Sequence, residues 1–207
     1  MEVILATGNQ GKIKEFAILM QDLSVKVYGL KDFADLKPAT EDGKTFCENA
    51  IKKAKAASLG SGLWAIADDS GLVVDALDGA PGVYSARFAG EHATDEENNE
   101  KLLALLQDVP REKRTARFCC VVAIVSPQGE TWTFEGSCEG EILFEPMGED
   151  GFGYDPIFWS QELNQCFGNC SMEEKNKVSH RGKAMAQASE FLRTYLGGID
   201  HEIGGCQ

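Results

Sequence analysis

Val3-Ile4-Leu5-Ala6 follows Glu2 as an unbroken apolar run, which predicts a short buried strand over Glu2 to Ala6. Polar residues and glycines then break the run as Thr7-Gly8-Asn9-Gln10-Gly11-Lys12, which predicts a turn. Ile13, Phe16, Ala17 and Met20 recur at helical spacing, so the turn opens a helix with one buried face. Val25 to Tyr28 predicts a second strand. Thr45-Phe46-Cys47-Glu48 has the form of a capping box, where a hydroxyl and a carboxylate close the free amides of a helix start. The helix it opens carries Ala50, Ile51, Ala54 and Ala57, runs to about Ser58, and is ended by Gly60 and Gly62.

Leu63 to Ala67 predicts a buried strand that stops at Asp68-Asp69-Ser70-Gly71, before a second short apolar stretch at Leu72-Val73-Val74. Residues 77 to 93 are rich in Gly, Ala and Pro and read as a structured loop. Thr94-Asp95-Glu96-Glu97 is another capping box, and its helix shows an apolar face of Leu102, Leu103, Leu105 and Leu106. Ala116 to Val125 and Thr131 to Gly140 flank Pro127-Gln128-Gly129 and predict a strand-turn-strand hairpin. Ser171-Met172-Glu173-Glu174 is a third box, and a last helix is expected from about His180 to Leu196, before Gly197-Gly198. The alternation of strands and helices with one long hairpin predicts an α/β fold with a mixed sheet. No repeat or linker divides the chain, so residues 1–207 read as one domain with a tail from Gly198 to Gln207.

Charge narrows the function. With 33 acidic residues against 20 basic, the net charge of −13 argues against binding a nucleic-acid backbone or an anionic membrane. No apolar run approaches the roughly 18–20 residues of a membrane span, and the N-terminus lacks the pattern of a signal peptide. The seven cysteines include no CxxC pair, which suits free thiols in a reducing cytoplasm.

Against this acidic background the polar segments gain meaning. Two adjacent carboxylates at the end of a buried strand repel each other unless a cation intervenes, and Mg²⁺ takes one or two carboxylates together with substrate phosphates. An ordinary acidic turn is the alternative. Thr7 to Lys12 could cradle phosphate through backbone amides, a helix N-terminus and the Lys12 charge, or could be a plain strand-to-helix turn. Gly151-Phe152-Gly153-Tyr154-Asp155-Pro156 could offer a ring to a base and a carboxylate to its polar edge, or could be a tight turn with core aromatics. Lys175-Asn176-Lys177-Val178-Ser179-His180-Arg181-Gly182-Lys183 gathers basic groups at the start of the last helix, against the macrodipole preference, unless it is a solvated basic face. Together the four describe a Mg²⁺-dependent enzyme acting on a nucleotide polyphosphate.

The same segments resemble the Ham1/RdgB family of inosine/xanthosine triphosphate pyrophosphatases. Ala6-Thr7-Gly8-Asn9 with Gly11-Lys12, Thr45-Phe46 with Glu48-Asn49-Ala50, and Ala67-Asp68-Asp69-Ser70-Gly71-Leu72 carry the resemblance in order. So do Gly79-Ala80-Pro81-Gly82, Tyr84-Ser85-Ala86-Arg87, Gly151 to Pro156, and Ser179-His180-Arg181-Gly182. The resemblance implies an elongated mixed-sheet α/β protein of two lobes with a cleft between them, usually a homodimer. It implies hydrolysis of non-standard purine nucleoside triphosphates (ITP, dITP, XTP) to the monophosphate and pyrophosphate.

Carried over by position, Asp69 would be the catalytic proton acceptor and, with Glu41, a Mg²⁺ ligand. Thr7, Gly8, Asn9, Gln10, Gly11 and Lys12 would hold phosphates, and Ser70 would contact substrate. Phe152, Gly153, Tyr154, Asp155, Lys175, His180 and Arg181 would embrace base and phosphates, with Lys53 as a further phosphate contact. Asp68 and Asp69 should not be interchangeable if the strand continues, because successive strand residues point opposite ways. A Maf-like pyrophosphatase acting on other modified nucleotides and a non-catalytic nucleotide sensor are the competing readings. The long motifs at Gly151 and Ser179 argue against the first, and the presence of both acids argues against the second.

Overall fold

The computed structural model describes residues 1–21, 23, 25–33 and 36–203, with side chains to residue 195. Gly204 to Gln207, including Cys206, lie outside the described residues. Seven strands form one sheet: β1 (Glu2–Leu5), β2 (Lys26–Gly29), β3 (Trp64–Val74), β4 (Thr115–Val125), β5 (Thr131–Ile142), β6 (Phe158–Ser160) and β7 (Gln165–Cys166). Their order is β2-β1-β3-β4-β5-β6-β7. β1 runs parallel to β2 and β3, and all later pairs are antiparallel, so the sheet is mixed.

Five helices cover it: α1 (Gln10–Leu19), α2 (Phe46–Ser61), α3 (Asp95–Leu105), α4 (Met172–Val178) and α5 (His180–Ile203). α2 packs Ala50, Ala54 and Ala57 against Ala65, Ala67, Val121 and Ala123 on one face. On the other face α1 and α5 bring Phe16, Met20, Met185 and Leu192 onto Val3, Leu5, Ile66 and Val122. Small residues on α2 let it approach closely; at the α5 contact Gly136 does the same, since a Cβ there would strike the His180 carbonyl. A third core gathers Leu72, Leu102, Leu106, Phe118, Ile142, Phe158 and Phe167 beneath the far ends of β3 and β4.

Several elements differ from their sequence patterns. β3 does not stop at Asp68 and Asp69: it continues through Ser70 and Gly71 to Val74, paired residue by residue with β4 from Ala65↔Val125 to Val74↔Ala116. The polar residues are tolerated mid-strand because cationic side chains meet both acids. Thr45 caps α2 by accepting from Glu48 N, but the Glu48 carboxylate accepts from Lys44 N instead of closing the box. Gly60 stays inside α2, and Gly62, at φ 71°, is the residue that ends it. Leu105 in α3 is exposed, whereas Leu102 and Leu106 are buried. α5 passes through Gly197 and Gly198 to Ile203 rather than stopping before them. The six cysteines among the described residues are free thiols. No helix among those residues is long and apolar enough to cross a membrane.

Candidate active site

A cleft of about 270 Å³ opens where β1 ends, bounded by Leu30, residues 36–41, α2, the middle of β3, and the segments around Phe152 and His180. Thr7, Gly8 and Asn9 leave β1 at its floor, and Asn9 caps α1 by accepting from Lys12 N at 3.1 Å. This is the strand–turn–helix arrangement expected from the sequence. Gln10 and Gly11, however, turn into α1 and do not line the cleft. Gly11 serves differently: a Cβ there would lie 2.7 Å from the Phe152 ring, so its absence lets that ring lie against the helix.

β3 delivers its two acids to opposite faces. Asp69 shares the α2 side, where its Oδ2 accepts from Asn49 Nδ2 at 3.0 Å and its Oδ1 lies 3.2 Å from Lys53 Nζ. Glu41 Oε1 is also 3.2 Å from Lys53 Nζ, so one ammonium stands between two carboxylates. Burial pushes the Asp69 carboxyl above the ordinary aspartate range despite Lys53 and Lys12. Burial opposes the Lys53 charge, but Asp69, Asp68 and Glu41 outweigh it and raise its pKa.

Asp68 points to the α5 side and is fully buried. Its Oδ2 lies 2.8 Å from Lys12 Nζ and 3.1 Å from both Arg181 Nε and Nη2. Burial works against its ionisation, but Lys12, Arg181 and Lys53 prevail and hold it well below the usual carboxylate range. Arg181 also donates to Ser70 Oγ at 2.8 Å and, through Nη1, to Glu15. Glu15 in turn lies 2.9 Å from Lys175 Nζ, which reaches Asp155 Oδ2 at 2.7 Å. An unbroken chain of ion pairs thus runs Lys12, Asp68, Arg181, Glu15, Lys175, Asp155.

This chain corrects the expected cationic clamp. Lys175 and Lys177 do not sit at the start of the last helix; they occupy the final turn of α4, where the helix dipole favours cations. Arg181 and Lys175 line the cleft with their charges largely answered by buried acids. His180 contributes no cation: buried, stacked on Phe118 at 4.7 Å and beside Arg181 and Lys175, its pKa falls well below the ordinary value.

The aromatic segment is corrected too. Tyr154 is core, its hydroxyl donating to Ser85 O at 2.8 Å, and offers no free platform. Asp155 is buried, accepting from Phe152 N as well as Lys175. Phe152 remains the half-buried ring facing the cleft, with Lys175 Nζ 4.6 Å from its centre. Apart from Gln10 and Gly11, every expected site residue lines the cleft: Thr7, Gly8, Asn9, Lys12, Glu41, Asp69, Ser70, Phe152 to Asp155, Lys175, His180 and Arg181.

Two participants were given no role by the sequence reading, although Asn49 stands in one of the motifs that carry the resemblance. Glu15 sits three residues after Lys12, on the same side of α1, and stands beside the apolar Phe16. Asn49 lies four residues before Lys53 within α2, a position where a short amide is a poor helix former and so signals another duty.

A mixed seven-stranded sheet whose third strand, β3, carries paired acids met by lysines from α1 and α2 defines an α/β protein with an ion-lined cleft. The profile of the Ham1 family matches residues 3–191, and the chain belongs to that family. It is 55% identical over 197 residues to the dITP/XTP pyrophosphatase of Desulforamulus reducens, covering 95% of this chain and 98% of that protein. The dITP/XTP pyrophosphatase of Geobacter sulfurreducens is 52% identical over 190 residues, with 92% and 96% covered. The solved structure of a HAM1 protein from Coxiella burnetii superposes with a TM-score of 0.86 at 41% identity, over 94% of this chain and 99% of that one.

Proposed function

We propose that the chain hydrolyses non-standard purine nucleoside triphosphates (ITP, dITP, XTP) to the nucleoside monophosphate and pyrophosphate. The observation that carries the site assignment is the convergence of Asp69 and Glu41 on one cation position, held by Lys53 Nζ at 3.2 Å from each. Family membership supports the reaction class, and the relatives named for dITP and XTP support the substrates.

The same convergence tests whether a metal ion suits these residues. Two hard carboxylate oxygens, from Asp69 and Glu41, already meet at a cation. That donor set fits Mg²⁺, which completes its shell with water and substrate phosphates. Charge points the same way. The cleft's Lys12, Lys53, Lys175 and Arg181 are each paired with an acid, which leaves Lys37 and Arg87 as its lining cations without an ion pair among the described residues, and a bound cation would add to their charge against a triphosphate. Asp69 and Glu41 would hold the ion, which supplies charge neutralisation on phosphate oxygens and a more acidic water.

The chain's own groups do the rest. Thr7 to Asn9 present backbone amides at the start of α1, and Lys12 and Lys53 offer ammonium protons to phosphate oxygens. Asp69, raised in basicity by burial and oriented by Asn49, accepts the proton of the attacking water. Lys175 has three N–H groups and spends two on Glu15 and Asp155, leaving a third for the keto oxygen of a hypoxanthine or xanthine base. Adenine would set an amino group against that donor and leave it unpaired. By the family resemblance the chain acts as a cytoplasmic homodimer.

Product analysis tests the reaction class. Incubation with dITP and Mg²⁺ should yield dIMP and pyrophosphate in equal amounts; dIDP with orthophosphate would contradict the proposal.

A further inference from the structure

Tyr84-Ser85-Ala86-Arg87 stands out in the sequence, yet nothing in the proposed reaction uses Arg87. It ends the 3-10 turn Gly82–Arg87 and lines the cleft, half-buried. Its guanidinium makes no ion pair among the described residues. Nη2 donates instead to the backbone carbonyl of Glu41 at 3.2 Å, across the cleft. The Tyr84 ring backs it, with Cζ 5.3 Å from the ring centre.

The loop it reaches is sparsely tied. From Lys37 to Asp42, the Glu41 carbonyl is the one backbone group with a protein hydrogen bond among the described residues. Gly43 and Lys44 are fastened by Asn49 and Glu48, within the start of α2 itself. The Glu41 and Asp42 side chains meet Lys53 and Lys52, also on α2. Arg87 is therefore the tether from the far wall, and it acts on the residue whose carboxylate shares Lys53 with Asp69.

We propose that Arg87 is a positioning residue for Glu41, holding the 37–42 loop across the cleft so that the Glu41 carboxylate stays beside Asp69. A charged donor strengthens a hydrogen bond, and half-exposure discounts that gain. Loss of this bond should weaken Mg²⁺ binding about five- to tenfold while leaving affinity for the nucleotide largely unchanged. The inference rests on Glu41 being a metal ligand, as the proposed function has it.

Arg87→Ala and Arg87→Lys test it, with Arg117→Ala, on the outside of the sheet, as control. Cleavage after Glu41 by a glutamate-specific protease, followed by mass spectrometry, reads the loop without any substrate. Arg87→Ala should speed that cut severalfold and leave the far-ultraviolet spectrum and melting temperature unchanged. Manganese titrations followed by electron paramagnetic resonance, and the Mg²⁺ dependence of pyrophosphate release, should both shift five- to tenfold in Arg87→Ala. Arg87→Lys should fall between, since an ammonium keeps the charge but not the reach. An unchanged rate of cleavage after Glu41 would overturn the tether. Faster cleavage with unaltered manganese affinity would overturn the positioning of Glu41. If the wild type itself released no pyrophosphate, the proposed function would fail while the cleavage result stayed readable.

Discussion

Asp68 and Asp69 are covalent neighbours whose carboxylates lie on opposite faces of β3, one locked to Lys12 and Arg181, the other between Asn49 and Lys53. Strand alternation makes this separation unavoidable once β3 continues past them. The pair therefore splits into a buried brace and a cleft-facing carboxylate, the proposed base. Asp69→Asn should abolish turnover and leave the far-ultraviolet spectrum unchanged. Asp68→Asn should instead remove the counter-charge from Lys12 and the buried Arg181, costing roughly 3–5 kcal/mol of stability. Thermal melts beside turnover assays separate the two, and equal losses of stability would contradict the division of roles.

pH should expose the same split. Asp69 is raised by burial in the metal-free protein, so the acid limb of kcat/KM at subsaturating Mg²⁺ should lie above the range of an ordinary aspartate. His180 is neutral near pH 7 and should not set that limb, which should survive in His180→Gln. For stability the sign reverses between the acids. Burial opposes ionisation of Asp68 and Glu15, but Lys12 and Arg181 lower the first, and Arg181 and Lys175 the second. Their contribution is complete above the unfolded range, about pH 4–4.5, and is lost as pH falls through their lowered values. Asp69 has the opposite sign, since its ionisation costs stability as pH rises through its raised value. A wild-type melting temperature that stayed flat from pH 5 down to pH 2 would contradict these assignments.

Glu15 should matter more to folding than its place on a surface helix suggests. Glu15→Gln leaves Lys175 and Arg181 with one fewer acid each, and roughly 3–5 kcal/mol should be lost. For a chain of this length that is a fall of about 6–20 °C in Tm. Adding Lys175→Met should cost less than the two single changes together, because the second removes one of the cations the first left unpaired. Strict additivity would show that the two side chains do not communicate.

Gly11→Ala probes the support of the cleft rather than its chemistry. The added Cβ would meet the Phe152 ring at 2.7 Å and displace it. KM for dITP should rise severalfold with kcat and melting temperature little changed, and an unchanged KM would remove Phe152 from base binding.

Much of this was legible in the chain. The capping residues Thr45, Thr94 and Ser171, the hairpin around Pro127-Gln128-Gly129 and the mixed sheet all follow from local patterns, and all are present. Most of the cleft residues were legible as well, because glycine-rich turns and adjacent acids stand out in an apolar background. The partners were not. That Asp68 faces Arg181, 113 positions away, or that Glu15 lies between Lys175 and Arg181, is set by how α1, α4 and α5 pack on the sheet. Local polarity likewise suggested that β3 ended at its acids, whereas long-range pairing with β4 and cations from three helices carry it through. A basic run read as a clamp became an internal ion network for the same reason.

Pyrophosphate release is the measurement that reaches the central claim most directly, run on ITP, dITP, XTP, GTP, dUTP and ATP with and without Mg²⁺, for wild type and Asp69→Asn. The account predicts Mg²⁺-dependent turnover by the wild type, with ITP, dITP and XTP far ahead of ATP in kcat/KM, and none by the variant. Near-normal release from Asp69→Asn, or equal kcat/KM for ITP and ATP, would contradict it.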